Sequence, residues 1–216
     1  VMDSILNYFV QIGAGLEVTL KVFAVCIIFS IPLGIVVALC RLSKNVIVRK
    51  IAEFYIWALR GTPLLLQIMF IFFGLPVIGI SLGSNRLMSA YVPFVLNYAA
   101  YFGEIFRSGI QSIEKGQREA ASILGFTPFQ INMKIVLPQV FKRTLPAVGN
   151  EIITLVKDTS LVYIIGLNDI LKLSKGIANR DVTLIPFVVA AIMYLVMTFV
   201  ITKILEKVEK KVIYEE

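Results

Sequence analysis

Long apolar runs alternate with short charged stretches along this chain. Between Lys21 and Arg41 no residue is charged, and the run of about 19 residues approaches the roughly 20 that a helix needs to cross hydrocarbon. Phe54 to Leu75 is interrupted only by Arg60, and Met88 to Phe102 is uncharged up to Glu104. Val182 to Thr202 is another clean run. Leu145 to Gly166 differs from the others in carrying Glu151, Lys157 and Asp158. Ahead of these runs Ile5, Phe9, Ile12 and Leu16 recur at helical spacing, which predicts an amphipathic segment in the membrane interface. It lacks a basic leading stretch, and no small-residue cleavage site follows it, so the first span is expected to be retained.

The pattern predicts an all-α polytopic membrane protein. The expected elements are an interfacial segment over residues 1–15, five transmembrane helices over 16–41, 51–79, 87–112, 139–165 and 182–207, and a cytoplasmic loop over 114–137. Composition agrees: of 216 residues 58% are hydrophobic and 16% charged, against about 45–50% and about 25% in soluble domains. The net charge of +7 would by itself suggest nucleic acid, but its layout changes that reading. Fourteen basic residues flank one side of the spans, at 41–50, 107–143 and 203–211, and only Arg86, Lys172, Lys175 and Arg180 flank the other. The positive-inside rule then puts the N-terminus outside and the C-terminus inside, as five spans require. These charges are loops solvated at an anionic leaflet, with no nucleic-acid partner.

Candidate chemistry is sparse. Histidine is absent, and Cys26 and Cys40 share one span, about 21 Å apart along a continuous helix, too far to bridge. Neither a metal-ligand cluster, a nucleophile motif nor a glycine-rich phosphate loop is present. The chain is therefore not expected to be an enzyme, nor to bind a metal or cofactor itself.

The cytoplasmic loop is too regular for a linker. Ala120, Ala121 and Leu124 favour a first short helix, and Gly125 falls where a left-handed cap belongs. Thr127-Pro128 is an N-cap followed by proline at the first helical position, and Pro138 is expected to end the second helix. Small alanines allow close seating in a groove of another protein, with Phe126 or Phe129 as anchors and Arg118 and Glu119 for polar pairing. The competing reading is a helix packed beneath the membrane, with Glu119 favoured only by the helix dipole.

Glu119-Ala120-Ala121 with Gly125 four residues on, then Ile135, Leu137 and Pro138, resembles the cytoplasmic-loop signature of permease subunits of ATP-binding-cassette importers. Arg60-Gly61-Thr62-Pro63-Leu64-Leu65-Leu66-Gln67, Lys157-Asp158-Thr159-Ser160-Leu161 and Asn97-Tyr98-Ala99-Ala100-Tyr101 are similar to stretches of the polar amino-acid permeases within that family. The resemblance covers nearly all of the chain after Gly13. It implies a five-helix subunit of a prokaryotic cell membrane working as a dimer, of two copies or of this chain with a related one. It also implies two ATPase subunits that hold ATP and Mg and dock on Gln117, Arg118, Glu119, Ala120, Ala121, Gly125 and Phe126, and an extracellular amino-acid-binding protein.

Ionisable groups at membrane depth need a partner or a pathway. Asn97, Tyr101, Glu104 and Ser108 fall on one stripe of the third span, and Glu151, Thr154 and Asp158 on one stripe of the fourth. With Thr159 and Ser160, and Thr62 from the second span, Asn97, Tyr101, Glu104, Glu151 and Asp158 are candidates for a chamber that holds a polar amino acid. Several carboxylates tilt the cargo towards arginine, lysine or histidine. Arg60, Gly61 and Pro63 are read as a kink and a close helix contact. Two alternatives stand beside this: structural ion pairs of Arg60 or Lys157 with Glu151 or Asp158, and an ion-gradient-driven transporter or channel using the same carboxylates.

Overall fold

The computed structural model describes residues 2–80 and 85–214, and every regular element among them is helical. In order these are α1 Met2–Gly13, α2 Leu16–Arg41, α3 Val46–Arg60, α4 Leu64–Met69, α5 Leu75–Val77 and α6 Arg86–Gln111. There follow α7 Lys115–Ile123, α8 Pro128–Ile131, α9 Leu137–Asp158, α10 Ile170–Asp181 and α11 Ile185–Glu209. Two runs, Ser4–Arg41 and Ile185–Val212, are long and apolar enough to cross a membrane. The pair Val46–Arg60 and Leu64–Val77 meets that standard only when joined, and it is bent by 102°. The stretch expected as one helix over 51–79 is thus two arms, and Pro63 between them supplies the reason.

α2 and α6 form the central pair, in the most extensive helix contact of the chain. Small residues let their backbones approach, as packing in a membrane requires. A Cβ on Gly34 would lie 2.7 Å from the Phe102 Cβ, and one on Gly103 would lie 2.7 Å from the Val37 Cγ1. Val22, Phe94, Tyr98, Phe102, Leu155 and Val162 fill the core around this pair, and the buried Cys26 thiol donates to the Phe94 carbonyl at 3.5 Å.

The N-terminal segment folds as α1, which packs its Ile12 side against α10 and α11 beside Ile170, Val189 and Met193 while Leu6 and Val10 remain exposed. Its turn into α2 lies hard against the start of α10: a Cβ on Gly15 would sit 2.5 Å from the Asp169 carbonyl carbon and from the Ile170 nitrogen. Both are backbone atoms, held by the buried Asp169 carboxylate, which accepts from the Leu171 and Lys172 amides at 3.0 and 3.1 Å. Gly15→Ala is therefore expected to lower the thermal midpoint of the detergent-purified protein, since overpacking costs about 1–3 kcal/mol. A Cβ on Gly13 meets nothing within 4 Å, so Gly13→Ala should not lower it. Equal midpoints for the two variants would show that the seam yields.

The fourth apolar run keeps its α-helix to Asp158 and then tightens into a 3-10 turn, Thr159–Ile165, ended by Gly166 at φ +78. Thr159 drives the change locally by donating to the Val156 carbonyl at 2.6 Å. Pro138 does not end a helix as expected. α8 continues through a π turn, Asn132–Val136, straight into α9, and Pro138 sits two residues past that turn, where the regular α-helical hydrogen-bond pattern is already interrupted.

Candidate functional site: a polar chamber beside a broken helix

α3 stops at Arg60 because Pro63 has no N–H for the Leu59 carbonyl four residues back. Two amides fill the vacancy. Gln67 Nε2 donates to that carbonyl at 2.8 Å and Asn97 Nδ2, from α6, at 2.9 Å. Gln67 Nε2 also reaches the Thr62 hydroxyl at 2.9 Å, which itself donates to the Ala58 carbonyl at 2.8 Å. The other Asn97 hydrogen goes to Gln67 Oε1 at 3.1 Å. Asn97 is 4% exposed and spends both amide hydrogens on the bend, so it supports the chamber wall and is no free donor for a cargo.

A cavity of about 640 Å³ opens beside this bend, lined by Arg60, Thr62, Asn97, Tyr98, Tyr101, Glu151, Thr154 and Asp158 among others. A second, of about 450 Å³, adjoins it towards α7 and is lined by Glu104, Ser108, Ser112, Arg143 and Thr144. Arg60, Tyr101 and Glu151 border both. Of the predicted chamber residues, Thr62, Asn97, Tyr101, Glu151 and Asp158 therefore meet in one cavity and Glu104 lies in the next. Thr159 is fully buried and turned onto its own backbone, and neither it nor Ser160 lines these cavities.

The three carboxylates are not equivalent. Glu104 is gripped through both oxygens by Arg107, one turn on, with Nε to Oε2 at 2.9 Å, so its charge is matched within α6. Asp158 accepts from the Tyr98 hydroxyl at 2.8 Å. Glu151 is half-buried, and among the described residues it makes no hydrogen bond or ion pair. Arg60 lies instead over the Tyr101 ring, its guanidinium carbon 5.0 Å from the centroid. Tyr98 and Gln67 fell outside the candidates read from the sequence. Gln67 is four residues past Pro63, and its amide reaches back eight residues to the orphaned Leu59 carbonyl. Among the described residues no three Cys, Asp or Glu side chains converge as a metal site needs.

The loop between α6 and α9 is a rigid hairpin. Ile113, Ala121, Ile131, Val136 and Val140 form its core, with Phe126 packed against it. Thr127 and Gln130 cap α8 reciprocally, and Gly125 takes φ +82 at the end of α7. Arg143 donates to the Ser112 carbonyl at 2.6 Å, Arg118 to that of Ile110 at 3.3 Å, and Gln139 to the Gln117 side chain at 2.7 Å, which ties the hairpin to the end of α6. Of the residues named for docking, Ala121 and Phe126 thus face inward, Gln117 and Arg118 brace the hairpin, and Glu119, Ala120 and Gly125 are exposed. The exposed face also presents Ile123 (85%), Leu124 (76%) and Phe129 (72%).

Residues 30–214 match the family described as binding-protein-dependent transport system inner membrane component. The chain is 41% identical over 200 residues to the arginine transport system permease protein ArtQ of Bacillus subtilis (strain 168), covering 91% of this chain and 90% of that protein. It is 36% identical to a putative glutamine transport system permease protein GlnP of Rickettsia bellii (strain RML369-C), over 92% and 91% of the two chains. A crystal structure of an amino acid ABC transporter with histidines has the same fold, with a TM-score of 0.88 and 32% identity over 96% of this chain and 97% of that one.

Proposed function

This chain belongs to the family of binding-protein-dependent transport system inner membrane components, and from that premise we propose that it forms the path by which an importer takes up a basic amino acid. It is the inner-membrane permease subunit of an amino-acid importer of the ATP-binding-cassette class, a transport component and not a catalyst. Family membership leaves the cargo open, since the relatives include an arginine permease and a glutamine permease. The observation that favours a cation is Glu151: a half-buried carboxylate with no hydrogen bond or ion pair among the described residues, lining a cavity with Asp158, the Tyr101 ring and an Arg60 that rests on that ring. A buried carboxylate without a counter-ion is costly, and a cationic cargo supplies one.

In this reading the spans are α2, the bent pair α3 to α5, α6, α9 with its 3-10 extension, and α11, with the N-terminus outside and the C-terminus inside. Two copies form the membrane dimer. Two ATPase subunits, which hold ATP and Mg, dock on the α7–α8 hairpins and rock the membrane halves between inward and outward access. An extracellular binding protein delivers cargo to the first cavity, and the second leads to the cytoplasm. Proteoliposomes containing this chain with its ATPase and binding-protein partners should accumulate arginine or lysine only with ATP on the ATPase side. Accumulation driven by an ion gradient alone overturns the ATP-driven path, and equal uptake of glutamine and arginine overturns the cationic cargo.

A further inference from the structure

Arg60 occupies an unusual position. It is the last residue of α3, followed by the Gly61-Thr62-Pro63 break, so its side chain can swing without dragging a helix behind it. With Tyr101 and Glu151 it marks the boundary between the two cavities. Among the described residues it forms no ion pair; its guanidinium rests on the Tyr101 face, 5.0 Å from the ring centroid. It shares the first cavity with Glu151 and Asp158 and the second with Glu104 and Glu151. A guanidinium on an aromatic face beside a carboxylate is the arrangement by which a protein recognises a free cationic side chain.

We propose that Arg60 is a tethered surrogate for the cargo: between transport events its guanidinium covers Tyr101 and closes the constriction between the two cavities, and the side-chain cation of an entering amino acid displaces it. The idea rests on the cationic-cargo reading and adds to it a competitor and a gate. Specificity follows, because the side chain of a neutral amino acid carries no charge with which to replace Arg60 on the ring, whereas that of arginine or lysine does.

The test is Arg60→Gln beside Arg60→Lys in the assembled transporter, read as the apparent KM for arginine and as ATP-independent leak of preloaded arginine from proteoliposomes. Removing an internal cation–π competitor should lower the KM by about two- to thirtyfold and raise the leak, while Arg60→Lys keeps both close to wild type. A raised KM in Arg60→Gln overturns the proposal, because Arg60 would then hold the cargo itself. An unchanged KM and leak overturn it as well, leaving Arg60 a helix-end residue. The two readings can fail separately: a transporter that carries only neutral amino acids sinks the surrogate through its cargo, and an unchanged leak sinks it through the gate whatever the cargo.

Discussion

Glu151→Gln should cut arginine uptake by about ten- to a hundredfold, the loss of one charge-assisted hydrogen bond of about 1.5–3 kcal/mol, with assembly intact. The side chain keeps its size, and among the described residues it has no ion-pair partner to strand, so the change removes a charge from the cavity and little else. The other two carboxylates serve as internal comparisons. Asp158→Asn still offers an oxygen to the Tyr98 hydroxyl and should lose less. Glu104→Gln acts mainly on the Arg107 grip, freeing a cation near the second cavity, and is expected to slow cationic and neutral cargo alike. The measurement is initial uptake of radiolabelled arginine, with copurification of the ATPase as the check on assembly. Wild-type uptake by Glu151→Gln would remove the carboxylate from the binding step.

That ranking was not legible in the sequence, where the three acids looked alike at membrane depth. Arg107 lies one helical turn from Glu104, and the i, i+3 rule was enough to suspect the pair; the long-range bond from Tyr98 to Asp158 joins residues of different helices and has no local signature. Charge marks only one end of the first long helix: α2 stops at Arg41, where the uncharged run stops, but it begins at Leu16, ahead of Glu17 and Lys21. The second span was harder. Both of its arms are apolar, so hydropathy cannot tell a straight helix from one bent by 102°. Proline says that a carbonyl is orphaned but not which way the chain then turns. The turn is fixed by Gln67 within the segment and by Asn97, which lies 38 residues beyond the Leu59 carbonyl it holds. Asn97 was thus picked out by its polarity at depth, while its partners are visible only in three dimensions.

The hairpin shows the same limit and yields the other large prediction. Helical phase alone could not say whether Ala121 or Ile123 faces out, because that depends on where Ile113, Val136 and Val140 lie. With those three packed on Ala121, the exposed face carries Ile123, Leu124 and Phe129 next to Glu119 and Ala120. Each such apolar side chain is worth about 1.5–3 kcal/mol when a partner covers it, and the capped, braced hairpin is already ordered, so little of that gain is lost to ordering on docking. Leu124→Asp should therefore abolish copurification of the ATPase subunit and ATP-driven uptake together. It forfeits the apolar burial and places a charge in the contact, while the isolated permease keeps its thermal midpoint because Leu124 touches no core. Ala121→Asp is the contrasting case: it puts the charge among Ile113, Val136 and Val140 and should lower the midpoint before any partner is added. If Leu124→Asp binds the ATPase and transports as the wild type does, the force of the ATPase enters the membrane subunit elsewhere, and the rigid hairpin loses its role as the lever.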